Sequence, residues 1–187
     1  MVQFGRMLRA VLVVLLLVSG SAHAQALKPW TGGRAPALEL ADPDGGTHRL
    51  ADYSGRVVVV NFWATWCGPC RAEMPSLERL REQMRGRPFT VLAVNVAESA
   101  RVAREFAEKL PVNFTILLDR DAKTTKAWGA KVLPATFVIG PDGVIRYSYY
   151  GDLDWSSAEV RGRIEALMPR QGDRAFHSGG QRASLEQ

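Results

Sequence analysis

The 187-residue chain is 47% hydrophobic and carries a formal net charge of +5. That apolar fraction can fill the core of one domain, and the basic surplus is interspersed with acids, Arg81, Arg85 and Arg87 lying near Glu78 and Glu82. A surface mixed in this way excludes a nucleic-acid footprint and reads as solvated.

The chain opens with Arg6 and Arg9, an uninterrupted apolar run from Ala10 to Val18, and Ala22-His23-Ala24 as an A-x-A site. The run is too short to span a bilayer, so residues 1–24 are expected to be a cleaved export signal. An uncleaved membrane anchor is the alternative. No cysteine stands at the end of the run, which rules out lipid anchoring through one there. Cleavage removes two arginines and no acids, so the mature charge falls to +3.

Residues 25–34 are expected to form an extended leader, and the folded domain to cover 35–168. Ala37-Leu38-Glu39-Leu40 and Thr47-His48-Arg49-Leu50 flank Asp42-Pro43-Asp44-Gly45-Gly46, the pattern of a small hairpin. The run 57–64 reads as a strand buried on both faces, followed by a helix from about Pro69 to Met84. A second buried strand is expected over 90–96, a helix over 99–110, a short strand over 115–118 and a short helix over 122–128. Two strands then flank Gly140-Pro141-Asp142-Gly143, a hairpin signal, and a last helix covers about Ser156 to Leu167. Residues 169–187, poor in apolar side chains, are expected to be disordered. Strands alternating with helices predict an α/β fold on a mixed central sheet flanked by helices, with an N-terminal β-hairpin.

Cys67 and Cys70 are the only cysteines. They stand at C-x-x-C spacing where the buried strand gives way to the helix. The unpaired N–H groups and dipole of a helix start favour thiolate over thiol, which supplies a nucleophile near neutral pH. A structural staple around so short a loop gains almost no chain entropy, and zinc would lack its further cysteine ligands. Redox exchange is therefore expected, with no cofactor and no metal. Cys67, preceding the first turn, should be exposed and attack; Cys70, inside the turn, should be shielded and resolve the mixed disulfide.

On the helix, Cys70, Glu73, Leu77, Leu80 and Met84 share one stripe. A carboxylate on that stripe is expected to be partly buried, with a raised pKa suited to trading protons with Cys70. An ordinary surface glutamate at the edge of the stripe is the alternative. Glu98, at the end of the second buried strand, is a second candidate, or else a strand-end glutamate. Trp66 is expected to cover the disulfide and Trp63 to belong to the core.

The run Gly55 to Pro75 with Trp66-Cys67-Gly68-Pro69-Cys70 at its centre, the segment Val94-Asn95-Val96-Ala97-Glu98-Ser99, and Leu133-Pro134-Ala135-Thr136-Phe137-Val138-Ile139 together resemble the thioredoxin superfamily. More narrowly, they resemble its exported TlpA/ResA/CcmG group. The spacing of 67 residues between Cys67 and Pro134 fits that group's extra central strand and helix, here around 99–118. The resemblance implies a cis bond before Pro134 opposite the cysteines; by itself the sequence would favour an ordinary trans proline at a strand start. It also implies a substrate surface formed by Trp66, Gly68, Pro69 and Leu133, and active-site roles for Glu73 and Glu98. Asn61, six residues before Cys67, stands where ordinary thioredoxins keep a buried aspartate, and it cannot titrate.

The implied function is that of a periplasmic thiol–disulfide oxidoreductase acting as a monomeric reductant of disulfides in exported proteins. The leading client is the C-x-x-C-H disulfide of apocytochrome c, in cytochrome c maturation, with re-reduction by a membrane electron donor of the CcdA or DsbD type. Reduction of copper-site cysteines in oxidase assembly is the nearest alternative. A copper-binding metallochaperone is the other, disfavoured because His23, His48 and His177 all lie far in sequence from Pro134. A peroxidase is weaker still, since the attacking cysteine of that branch belongs to a different motif.

Overall fold

The computed structural model describes residues 27–110 and 112–169. The expected export signal and C-terminal tail thus lie outside the described residues, apart from Pro169. Among the described residues eight strands form one mixed sheet: β1 (Lys28–Pro29), β2 (Glu39–Ala41), β3 (Thr47–Arg49), β4 (Val57–Trp63), β5 (Phe89–Val96), β6 (Thr115–Asp119), β7 (Ala135–Ile139) and β8 (Ile145–Tyr150). Their order across the sheet is β1-β8-β7-β4-β5-β6-β2-β3. Among the described residues four helices accompany them: α1 (Gly68–Gln83), α2 (Ala100–Ala107), α3 (Lys123–Ala127) and α4 (Ala158–Glu165). Among the described residues no helix is long and apolar enough to cross a membrane.

The centre of the sheet follows from its apolar runs. β4 pairs in parallel with β5 and antiparallel with β7, and its side chains alternate between two cores. Val57, Val59 and Trp63 pack with Cys70, Met74, Leu77 and Leu80 of α1, and with Val160 and Ile164 of α4. Val58, Val60 and Phe62 pack on the opposite face with Phe137, Trp128 and Leu38. A strand buried on both sides needs apolar residues at every position, and β4 departs from that rule only at Asn61.

Element ends differ from the expectations by a few residues, where helices fray or strands yield to turns. The helix expected over 99–110 ends at Ala107, and the hairpin strand expected to reach Leu50 gives way there to a 3-10 turn, Leu50–Tyr53. The leader is not merely extended. Lys28 and Pro29 pair with Ser148 and Tyr147, Arg34 bridges to Val144, and the Trp30 N–H donates to the Arg146 carbonyl at 2.9 Å. These residues close the edge of β8, an edge that would otherwise offer unpaired backbone groups to other chains.

Candidate active site

Cys67 is the N-cap of α1, with extended backbone, and its Sγ accepts the Cys70 N–H at 3.3 Å. Pro69, in the first turn, gives up no useful donor there, because helix-start N–H groups have no partner within the helix. The two sulfurs are joined as a disulfide. Cys70 is fully buried, as expected. Cys67, expected to be exposed, is only 5% exposed: linked to Cys70 and capping the helix, its sulfur is drawn against the core beneath α1. It remains the more accessible of the pair. Trp66 does not cover the disulfide as expected. It stands 69% exposed, turned into solvent, while Trp63 is wholly buried in the core.

The antiparallel pairing of β4 with β7 brings the end of one strand beside the start of the other, and so sets Pro134 at the same end of the sheet as Cys67. The Leu133–Pro134 bond is cis. Leu133 packs against both cores, and the Pro134 carbonyl accepts the Gly151 N–H at 2.9 Å. Val132, Tyr150 and Trp66, three large apolar side chains left exposed, all lie within two residues of Cys67, of Pro134 or of the strand end paired with it.

Glu73 falls on the stripe of α1 that carries Cys70, and it is buried. Each of its oxygens is held by a neutral donor. Asn61 Nδ2 donates to Oε1 at 2.7 Å and Trp155 Nε1 donates to Oε2 at 2.9 Å. Burial opposes the charged form more strongly than these donors favour it, and the carboxyl is pushed up to about 7. Asn61 also donates to Thr136 Oγ1 at 2.8 Å, a contact set by the β4–β7 register, which pairs Asn61 with Thr136.

Glu98 lies on the other side of the cysteine turn. Ala97 leaves β5 with φ 58°, a left-handed kink uncommon for a residue with a Cβ, and the chain turns Glu98 back over Thr65. The Thr65 N–H donates to Oε2 at 2.8 Å, its hydroxyl to Oε1 at 2.5 Å, and Asn95 Nδ2 to Oε2 at 2.7 Å. Arg71 Nη1 donates to the Thr65 carbonyl at 2.9 Å, so the turn that leads into Cys67 is pinned from both sides. Thr65, Asn95, Thr136 and Trp155 escaped the sequence reading. Thr136 and Trp155 lie 75 and 82 residues from their partners in this network, and no periodicity reports a contact of that range.

His48 sits on the N-terminal hairpin, engaged by Asp42 and Tyr53. A cavity of about 490 Å³ lies between Arg34, Arg49, Tyr53 and Pro141, at the start of β4, and holds neither cysteine.

A disulfide at a helix start, beside a cis-proline loop at one end of a thioredoxin-like sheet, defines a thiol–disulfide oxidoreductase, and its substrates are disulfide-containing proteins. The chain belongs to the AhpC/TSA family, whose profile matches residues 31–148. It is 32% identical over 168 residues to the thiol-disulfide oxidoreductase ResA of Geobacillus thermodenitrificans, an alignment covering 87% of this chain and 95% of that protein. Among solved structures it is similar to a protein described as the thiol:disulfide interchange protein DsbE of Chlorobium tepidum. That match has a TM-score of 0.69 and 29% identity, and covers 77% of this chain and all of the other. It is also similar to dsbF of MTB, with a TM-score of 0.63 and 26% identity over 70% of this chain and 95% of that one.

Proposed function

We propose that this oxidoreductase works after export, in the periplasm, as a reductant of disulfides in other exported proteins. The C-x-x-C-H disulfide of apocytochrome c is its leading client, and a membrane electron donor of the CcdA or DsbD type returns it to the dithiol. The observation that carries the reading is a buried carboxyl at about 7 on the helical face of the shielded cysteine. Such a group can take the Cys70 proton near neutral pH.

In the cycle, Cys67 thiolate attacks one sulfur of the client disulfide, and the other sulfur leaves as thiolate. Glu73 accepts the proton of the Cys70 thiol. Cys70 thiolate then attacks Cys67 Sγ, releasing the second client sulfur. The client gains two electrons and the enzyme is left as the Cys67–Cys70 disulfide. Trp66, Val132 and Tyr150 supply apolar area for the client segment on either side of its disulfide. Gly68 and Pro69 between the cysteines resemble reducing rather than strongly oxidising members of the superfamily.

The test is the potential of the pair together with its client. The dithiol should reduce a C-x-x-C-H peptide disulfide, with a potential nearer that of thioredoxin, about −270 mV, than that of DsbA, about −120 mV. Cys70→Ser should accumulate mixed disulfides through Cys67, and Cys67→Ser should trap almost none. A potential near that of DsbA would reverse the direction of electron flow, and equal trapping by both variants would abolish the division of labour.

A further inference from the structure

Asn61 is the one polar residue of β4, and its amide nitrogen donates both to Glu73 Oε1 and to Thr136 Oγ1. Its amide oxygen is buried and meets no donor among the described residues. The partners around this amide differ in what they can do. An indole N–H only donates, so Trp155 always presents a donor to Glu73 Oε2. A hydroxyl donates or accepts, so Thr136 can serve either end of an amide. A primary amide donates from one end and accepts at the other, and the two ends have nearly the same shape.

We propose that Asn61 is a positioning residue that turns its amide end for end as Glu73 gains or loses a proton. With Glu73 ionised, Nδ2 faces the carboxylate and Thr136, the arrangement seen here. With Glu73 protonated, the proton lies on Oε1, because Trp155 keeps its donor against Oε2. Oδ1 then faces Glu73 and accepts from the Oε1 hydroxyl, while the Thr136 hydroxyl rotates to donate to the same Oδ1. Each state satisfies both carboxyl oxygens and leaves one end of the amide without a partner. The strand therefore accommodates both protonation states in a buried site, which a fixed donor could not do. An aspartate at this position would bring a second titrating group; the asparagine leaves Glu73 as the group that carries the proton.

The other ionisable groups around Glu73 are Asp152, in the segment after β8, and Tyr149 on β8; Cys70, on its own helix, is held in the disulfide and does not titrate in the oxidised protein. Asp152 disfavours the charge on Glu73, and Glu73 in turn helps to hold the Tyr149 hydroxyl in its neutral form. β4 and β7 contribute only the neutral Asn61 and Thr136 to this cluster.

The inference rests on the reading of Glu73 as proton partner of Cys70, but its test uses the oxidised full-length protein and no client. NMR with labelled glutamate carboxyl and asparagine amide groups should show an Overhauser contact between the Asn61 amide protons and the Thr136 side chain above the Glu73 midpoint. Below that midpoint the contact should be lost. Trp155→Phe removes a donor that favours the carboxylate and should raise the Glu73 midpoint by about one pH unit. Asn61→Leu removes a group that serves both states and should shift the midpoint less than half as far. A contact that persists through the titration overturns the proposal, as does an Asn61→Leu shift equal to that of Trp155→Phe. Should Asn61→Leu fail to fold, the parent spectrum decides alone. Separately, a pH profile of disulfide reduction unchanged by Glu73→Gln would remove the catalytic role of Glu73 while leaving the rotation of Asn61 standing.

Discussion

Two neighbouring parallel strands each carry a buried asparagine whose amide holds a glutamate: Asn61 holds Glu73, and Asn95 holds Glu98. The likeness ends there. Glu73 is buried and receives only neutral donors, from Trp155, Asn61 and the Leu153 backbone, which cannot offset its loss of water, so it keeps its proton up to about pH 7. Glu98 is half-exposed and receives a backbone N–H, a hydroxyl and an amide, all directed at fixing the turn before Cys67. The same pair of residue types thus builds a proton store on one side of the disulfide and a brace on the other. What separates them is water and the identity of the donors.

The sharpest way to break this contrast is Glu73→Gln. Burial raises the folded carboxyl from an ordinary 4.5 to about 7. Below pH 4.5 the native and unfolded chains are both protonated, and the group adds no cost. Between 4.5 and 7 the unfolded chain releases its proton while the native chain keeps it, so stability falls as pH rises. Above 7 the cost is complete, at about 3 kcal/mol. Denaturant unfolding of the oxidised protein should therefore show Glu73→Gln gaining on the parent by about 3 kcal/mol between pH 4.5 and 8. Parallel stability curves for the two proteins would mean that Glu73 is not a proton store.

The brace is tested by Glu98→Ala, which strands the three donors and should cost about 1–2 kcal/mol. It should also raise amide exchange at Thr65 and Trp66, while leaving exchange around Trp155 as in the parent. A loss of protection spread over both sides of the disulfide would erase the distinction between brace and store. The smallest effect is expected from Thr65→Val. Only the hydroxyl contact to Oε1 is lost, the backbone N–H and Asn95 remain, and unfolding should register a loss of about 1 kcal/mol. A cost equal to that of Glu98→Ala would show that the hydroxyl alone carries the brace.

Much of the store was legible in the sequence because it lies on a helix. Cys70, Glu73, Leu77, Leu80 and Met84 fall on one stripe, and that stripe is buried against the sheet. The buried strands β4 and β5 were legible from their apolar runs, as was the closing hairpin from Gly140 to Gly143. The rest was hidden for a physical reason. Thr136 meets Asn61 through an antiparallel register, and Trp155 reaches Glu73 from a segment between β8 and α4 that has no repeat of its own. β1 is two residues long, too short for an alternating pattern to exist. The exposure of Cys67 was misjudged because position at a helix start does not reveal where a sulfur turns once it is bonded to its neighbour.

Trp155 also bears on how the molecule is made. Its backbone N–H donates to Ser76 Oγ, the same hydroxyl donates to the Leu153 carbonyl, and its indole completes the pair of donors on Glu73. Synthesis runs from the N-terminus, so both sulfurs emerge long before this segment does. For that interval the nascent chain carries a cysteine pair while Glu73, the proposed proton partner of Cys70, lacks its indole donor. The buried setting that raises the Glu73 carboxyl is thus completed only when the segment after β8 has been made.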